Sequence, residues 1–219
     1  MVIFNVIDFG AIGDGANDDS QSFMQAWDAA CDSSASSPTI DGKIIAPSKP
    51  SAWQCRPDCE HWISFKRFDG LSIQGSGIIN GQGSKWWTIS CKNKNKNCPS
   101  RKPTCLVIAD SNNVKNNGLT FEDSPQKHIA LERSTSVHAT KLTIIAPKTS
   151  PNTDGIHIQH STNVFIHNSN IQTGVDCISI GNGSKYINIT KIECGPRHGI
   201  SIGSLGINRK TEKVEYVNF

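Results

Sequence analysis

The stretch NTDGIHIQHS (residues 152–161) sets one acid ahead of a short strand-like run, and the chain repeats the arrangement twice. GVDCISIGNG follows at residues 174–183 and PRHGISIGSL at residues 196–205. Asp154, Asp176 and His198 are thus 22 residues apart in each step, and each stands two residues before an Ile. Two series of strand-like runs keep similar spacing. Ile129, Ile156, Ile178 and Ile200 step by 27, 22 and 22, while Val114, Val137, Val164, Ile187 and Val214 step by 23, 27, 23 and 27. From about residue 69 onward these runs alternate with Asn, Gly, Ser and Pro, with no helical period. Such a repeat predicts an all-β parallel β-helix, one coil per repeat. A leucine-rich repeat would need a Leu consensus that is absent, and a β-sandwich would show hairpin signals without constant register.

Register converts spacing into geometry. Equivalent positions in successive coils of a β-helix stack about 4.8 Å apart. Asp154, Asp176 and His198 are therefore expected in one column on one face. Lining of a turn by polar residues is one reading of such a column. A titratable acid-acid-histidine cluster suited to acid-base chemistry is the other.

The whole chain of 219 residues reads as a single β-helix domain, with residues 18–31 as an N-terminal cap helix. FNVIDFGAIGDG reads as a short strand and a Gly-rich turn. Asp18 or Asp19 is placed to cap the helix, with Phe23, Ala26, Trp27, Ala30 and Cys31 on one face. Low hydrophobic content (36%) and low charge (19%) suit a turn-rich β protein better than a helical one.

No apolar run approaches the roughly 18 residues of a membrane span, and no secretory leader is visible at the N-terminus. Eight cysteines without any CxxC pair favour disulfides over zinc, and hence an oxidising compartment. The sequons at Asn182 and Asn188 agree with secretion. Net charge is only +3, and the positive residues bunch in CKNKNKNCPSRK (residues 91–102). That run reads either as a solvated loop or as a patch for a polyanion. The aromatic interleaving of a nucleic-acid platform is missing.

SPNTDGIHI, DCISIGNGS and CGPRHGISIGSLG resemble the signature segments of the polygalacturonase family, plant type, which are pectin-cleaving glycoside hydrolases. DFGAIGDGANDDSQSFMQAWDAAC, DGLSIQGSGIINGQGSKWW and LTFEDSP resemble other segments of the same enzymes, so the likeness covers nearly the whole chain. The resemblance implies a right-handed parallel β-helix and inverting hydrolysis of α-1,4-linked galacturonic acid. It implies no metal or other cofactor; together with the cysteines and sequons it points to a protein secreted to the cell wall or extracellular space, and a monomer is expected. No nucleic acid or membrane partner is expected; the partner is an acidic polysaccharide, pectin or polygalacturonate. By position, Asp154 and Asp176 match the water-activating acids, and His198 matches the histidine that supports the proton donor. Cys177 and Cys194 match a disulfide between coils. Asn152, Arg197 and Lys185 are the candidate substrate contacts.

Three departures from the family stand out. Its usual Gly-Asp-Asp-Cys is here Gly174-Val175-Asp176-Cys177, so the residue matching the proton donor has no acid. Arg197 replaces a glycine before the histidine, where it either pairs with a substrate carboxylate or crowds the cleft and pulls on Asp176. An early coil and the C-terminal coils bearing the family's Arg-Ile-Lys motif are missing, so the domain reads as incomplete at its C-terminus. The expectation is an impaired polygalacturonase. The alternatives are a pectin-binding protein without turnover, a non-functional truncated product, or a Ca²⁺-dependent lyase built on the same column.

Overall fold

The computed structural model describes residues 3–33, 37–53, 60–91, 98–99, 101–206 and 209–219. Two compact units divide the chain, Met1–Pro38 and Thr39–Phe219.

In the first unit the expected N-terminal strand is a 3-10 turn, Val6–Phe9. Asn5 decides this: its Oδ1 accepts from Ile7 N, and Gly10 closes the turn with φ 94°. Helix α1 spans Ser20–Asp32. Asp19 occupies the N-cap position, but its carboxylate accepts from Ile12 N (2.9 Å) and Gly13 N (3.0 Å) and so fastens the preceding loop instead. Asp18 Oδ1 accepts from Ser20 N. Only Ser22 and Ala26 of the helix are buried; Phe23 and Cys31 of the expected face are exposed.

The second unit is a right-handed parallel β-helix. Its strands, numbered in chain order, form two sheets. One sheet contains β2 (His61–Lys66), β5 (Thr104–Ala109), β8 (Ile129–Glu132), β11 (Ile156–Gln159), β13 (Asp176–Ile180) and β15 (His198–Ile202), in that spatial order. The other contains β1 (Lys43–Ile45), β3 (Ser72–Gln74), β4 (Ile78–Asn80), β6 (Asn112–Asn117), β7 (Thr120–Glu122), β9 (Thr135–Thr140), β10 (Thr143–Ile145), β12 (Thr162–Gln172), β14 (Lys185–Gly195) and β16 (Glu215–Asn218). Strand β12 joins two faces of the coil: its first half pairs with β9 and its second half with β10. A short helix, α2 (Ser84–Thr88), interrupts the early coils. Among the described residues no helix is long and apolar enough to cross a membrane.

Every pairing is parallel, and the register follows the sequence steps. Ile129 faces Ile156, Ile156 faces Ile178, and Ile178 faces Ile200. Val114, Val137, Val164 and Ile187 are likewise successive partners. The series then departs from expectation, because Ile187 faces Val217 and not Val214. The connection after β15 carries three more residues than the step of 27 allowed, and coil corners accept such insertions while strands do not.

Inward-facing residues make stacked aliphatic columns, for example Leu106, Ile129, Ile156 and Ile178, each 0–1% exposed. β-branched side chains suit this pleated, fully buried setting. At one corner lie Ser111, Ser134 and Ser161, all buried. Ser111 N donates to Ser134 Oγ (3.2 Å) and Ser134 N to Ser161 Oγ (3.1 Å), so each hydroxyl satisfies an amide of the coil before it. Left-handed residues stack at the same corner, Asp110, Arg133 and His160 at φ 47–50°, and Arg133 Nε pairs with Asp110 Oδ1 at 2.6 Å.

The cysteines follow the disulfide expectation in part. Cys91–Cys98 and Cys177–Cys194 are bonded, the latter as the resemblance implied. Cys31 is exposed and free, and Cys105 is buried and free, with burial pushing its thiol up to about 12. Cys55 and Cys59 lie outside the described residues, as do Lys92, Lys94 and Lys96 of the basic run. Of the rest of that run, Arg101 pairs with Glu60 (2.7 Å), while Lys102 is buried and donates to Ser90 Oγ (3.2 Å). Lys102 is therefore not part of a surface patch.

Candidate active site

The column predicted from the 22-residue step is present. Asp176 and His198 are direct register partners on β13 and β15. Asp154 comes one coil earlier, since Gly155 N donates to Asp176 O (3.0 Å) and the next residues pair Ile156 with Ile178. Parallel strand spacing then stacks the three side chains on the outer face of one sheet.

Each acid is held by a serine from the following coil. Ser179 Oγ donates to Asp154 Oδ2 at 2.9 Å, and Ser201 Oγ donates to Asp176 Oδ2 at 2.5 Å. Both serines sit 25 residues beyond their acid, at equivalent positions in the Ile-Ser-Ile of β13 and β15. His198 Nδ1 adds a contact to the other oxygen of Asp176, Oδ1, at 3.1 Å. His157 Nδ1 lies 2.8 Å from Ser179 Oγ. With the Ser179 proton directed at Asp154, His157 Nδ1 is the donor to Ser179. Burial, with a smaller contribution from the Lys127 cation, lowers the His157 pKa and favours the neutral ring.

A second histidine, this one fully buried, supports Asp154 from behind. His128 Nε2 accepts from Ser124 N (3.3 Å), which leaves the proton on Nδ1, 3.1 Å from Asp154 O. Complete burial holds its pKa down to about 4, so the ring is neutral at physiological pH. Cys177–Cys194 ties β13 to β14 beside the same acids.

Both acids and their serines border an open cleft of about 130 Å³, lined by Asp154, His157, Gln159, Asp176, Ser179, Asn182, Ser201 and Ser204 among others, while His198 touches Asp176 from outside that lining. A larger cavity of about 260 Å³ lies elsewhere, against Lys43, Asn80, Gln82 and Asp123. The smaller cleft is the candidate site because it alone of these two holds the registered acids.

The remaining sequence candidates are not gathered in the cleft. Asn152 sits in the turn before Asp154 with φ 60°. Arg197 is exposed, and its Nε donates to Lys148 O (3.2 Å), a bond that neither crowds nor pairs with Asp176. Lys185 opens β14 on the other sheet, with Nζ 3.7 Å from Glu215 Oε2. Val175 is half-buried and carries no titrating atom next to Asp176. Sequence reading missed Ser179, Ser201, His157 and His128. The two serines were signalled by the same step of 22, and the histidines by no spacing of their own.

The pattern described as Glycosyl hydrolases family 28 matches residues 18–219. This chain belongs to that family. It is 40% identical to a polygalacturonase of Malus domestica over 97% of its own length and 51% of that protein. It is also 40% identical to polygalacturonase-2 of Solanum lycopersicum, over 93% of its length and 50% of the relative. The family 28 chain spans about half the length of the curated relatives it matches. Among solved structures, a polygalacturonase of Erwinia carotovora superposes with TM-score 0.71 at 26% identity, covering 84% of this chain and 58% of that one. An endo-xylogalacturonan hydrolase of Aspergillus tubingensis gives TM-score 0.77 at 26% identity, covering 89% and 59%.

Proposed function

We propose that this family 28 chain carries the water-activating half of a polygalacturonase site and acts on α-1,4-linked galacturonic acid, with turnover impaired by Val175. The observation that supports this reading best is the in-register Asp154, Asp176 and His198 column, each acid oriented by a serine hydroxyl. In an inverting glycosidase, one carboxylate removes a proton from the attacking water and a carboxylic acid protonates the leaving oxygen. Asp154 and Asp176 supply the first role. Their serine donors hold one oxygen of each carboxylate and leave the remaining lone pairs to meet the water. His198 holds Asp176 Oδ1 and supports the second role. The proton donor itself is absent where the family has it, because Val175 stands there. Loss of general acid catalysis costs roughly 10²–10⁴-fold. The protein is secreted to the cell wall in this reading and needs no cofactor.

Binding of pectin without turnover is the second reading, and the same residue favours it: Val175 removes chemistry without removing the cleft. Reducing-end release from polygalacturonate, measured for the natural chain and Val175→Asp at equal folded concentration, separates the two. The expected result is release by the Val175→Asp chain at least about 10²-fold above the natural one. Equal activity in both would sink the claim that Val175 impairs the chain. Silence in both, with intact binding, favours the binding reading. Activity abolished by a chelator, with an unsaturated product, would instead indicate the lyase.

A further inference from the structure

The cleft has two carboxylates and no lysine or arginine among its lining residues. A polyuronate entering it meets like charge, so a cation is required close by. Several described cations are engaged elsewhere. Lys43 pairs with Glu122, Arg101 with Glu60, Arg133 with Asp110 and Lys185 with Glu215. Arg197 is bonded to Lys148 O.

Lys127 is placed differently. Its carbonyl accepts from Cys105 N, and the next residue, His128, donates its N–H to Asp154 O. Ile129 then faces Ile156, so Lys127 precedes Asp154 by one coil in the same column. The order along the column is Lys127, Asp154, Asp176, His198. Lys127 is half-buried and has no ion pair among the described residues. Burial lowers its pKa, opposed by the charges of Asp154, Glu132 and Glu60, and its own charge reaches His157. The register places Lys127 one coil from Asp154, at the Asp154 end of the cleft.

We propose that Lys127 is the cation of a further subsite, which takes one carboxylate of an acidic oligosaccharide one coil beyond Asp154. The subsite rests on the pectin reading and deepens it. Partial burial leaves the ammonium less screened by salt than a surface lysine. A free uronate at this place gains a charge-assisted hydrogen bond. A methyl ester there has no charge to offer, so the subsite selects de-esterified over esterified sugar.

Calorimetric titration of the whole chain with oligogalacturonate and with its fully methyl-esterified form tests this. Lys127→Met should weaken binding of the acidic ligand about 10-fold, the 1.4 kcal/mol scale of one such contact, and leave the ester unchanged. Lys127→Arg should restore most of the loss, and Lys115→Met, on the other sheet, should have no effect. Equal loss for both ligands would assign Lys127 a structural role and overturn the subsite. So would acidic binding that survives Lys127→Met. If the natural chain binds neither ligand, the pectin reading fails and the subsite fails with it.

Discussion

Asn116 lies on β6 in a column with Ile73, Ala139, Ile166 and Ile189. It is 1% exposed, and neither its Oδ1 nor its Nδ2 has a hydrogen-bond partner. A buried polar group left unsatisfied costs about 1–3 kcal/mol. Replacing it with valine removes both unpaired atoms and supplies a β-branched side chain that suits the strand. The extra methyl must find room between Ile73 and Ala139, and the small Ala139 on one side provides it. Asn116→Val should therefore stabilise the chain by about 2 kcal/mol. For a domain of this length that raises Tm by about 4–8 °C. Circular dichroism melts at one scan rate and protein concentration would read the shift. Lys115→Val, whose side chain is exposed, serves as the control for a general gain in strand propensity. A lower Tm for Asn116→Val, or an equal rise for Lys115→Val, would refute the reasoning.

Further outcomes follow from the site. Cys177–Cys194 closes a span of 17 residues, and in the chain-entropy account such a loop contributes about 3 kcal/mol. The double alanine variant should lose about 6–12 °C in Tm, whereas a loss under 2 °C would show that the bond adds little beyond the ladder. His128 titrates near 4 in the folded chain and near 6.5 unfolded. Below 6.5 the unfolded chain binds a proton that the folded chain refuses, so this contribution is complete above 6.5 and is lost as pH falls towards 4. The loss amounts to about 3 kcal/mol at pH 4. Urea unfolding at pH 7 and pH 4.5 should show a steeper decline for the natural chain than for His128→Gln; identical slopes would exclude His128 as the cause.

The coil register was legible in the sequence because parallel stacking forces equivalent residues to a constant count, and the Ile columns keep that count wherever no insertion intervenes. Asp154, Asp176 and His198 could be assembled for the same reason. Val214 could not be placed, since a corner absorbs three residues without disturbing the strands on either side. The N-terminal strand failed on one side chain, Asn5, whose carboxamide favours a turn over extension. Lys185 has a sequence position close to the DCISIGNGS motif, yet the chain turns a corner between them and carries it to the other sheet. The serine clamps follow the same step as the acids, but a hydroxyl within a strand carries no further mark in sequence that separates it from an ordinary outward serine.

The serine ladder has a further consequence for how such a chain can change. Ser134 accepts from the coil before it and hands its own amide to the coil after it, so the coils of this ladder present the same plug and socket. Excision or duplication of one complete coil re-mates plug with socket and leaves no amide orphaned. A loss of one residue inside a strand reverses the inward and outward faces and leaves the ladder unmatched. Lineages of such proteins can therefore lengthen or shorten by whole turns of the coil, like removing a link from a chain, while the count between Asp154, Asp176 and His198 stays closed to revision.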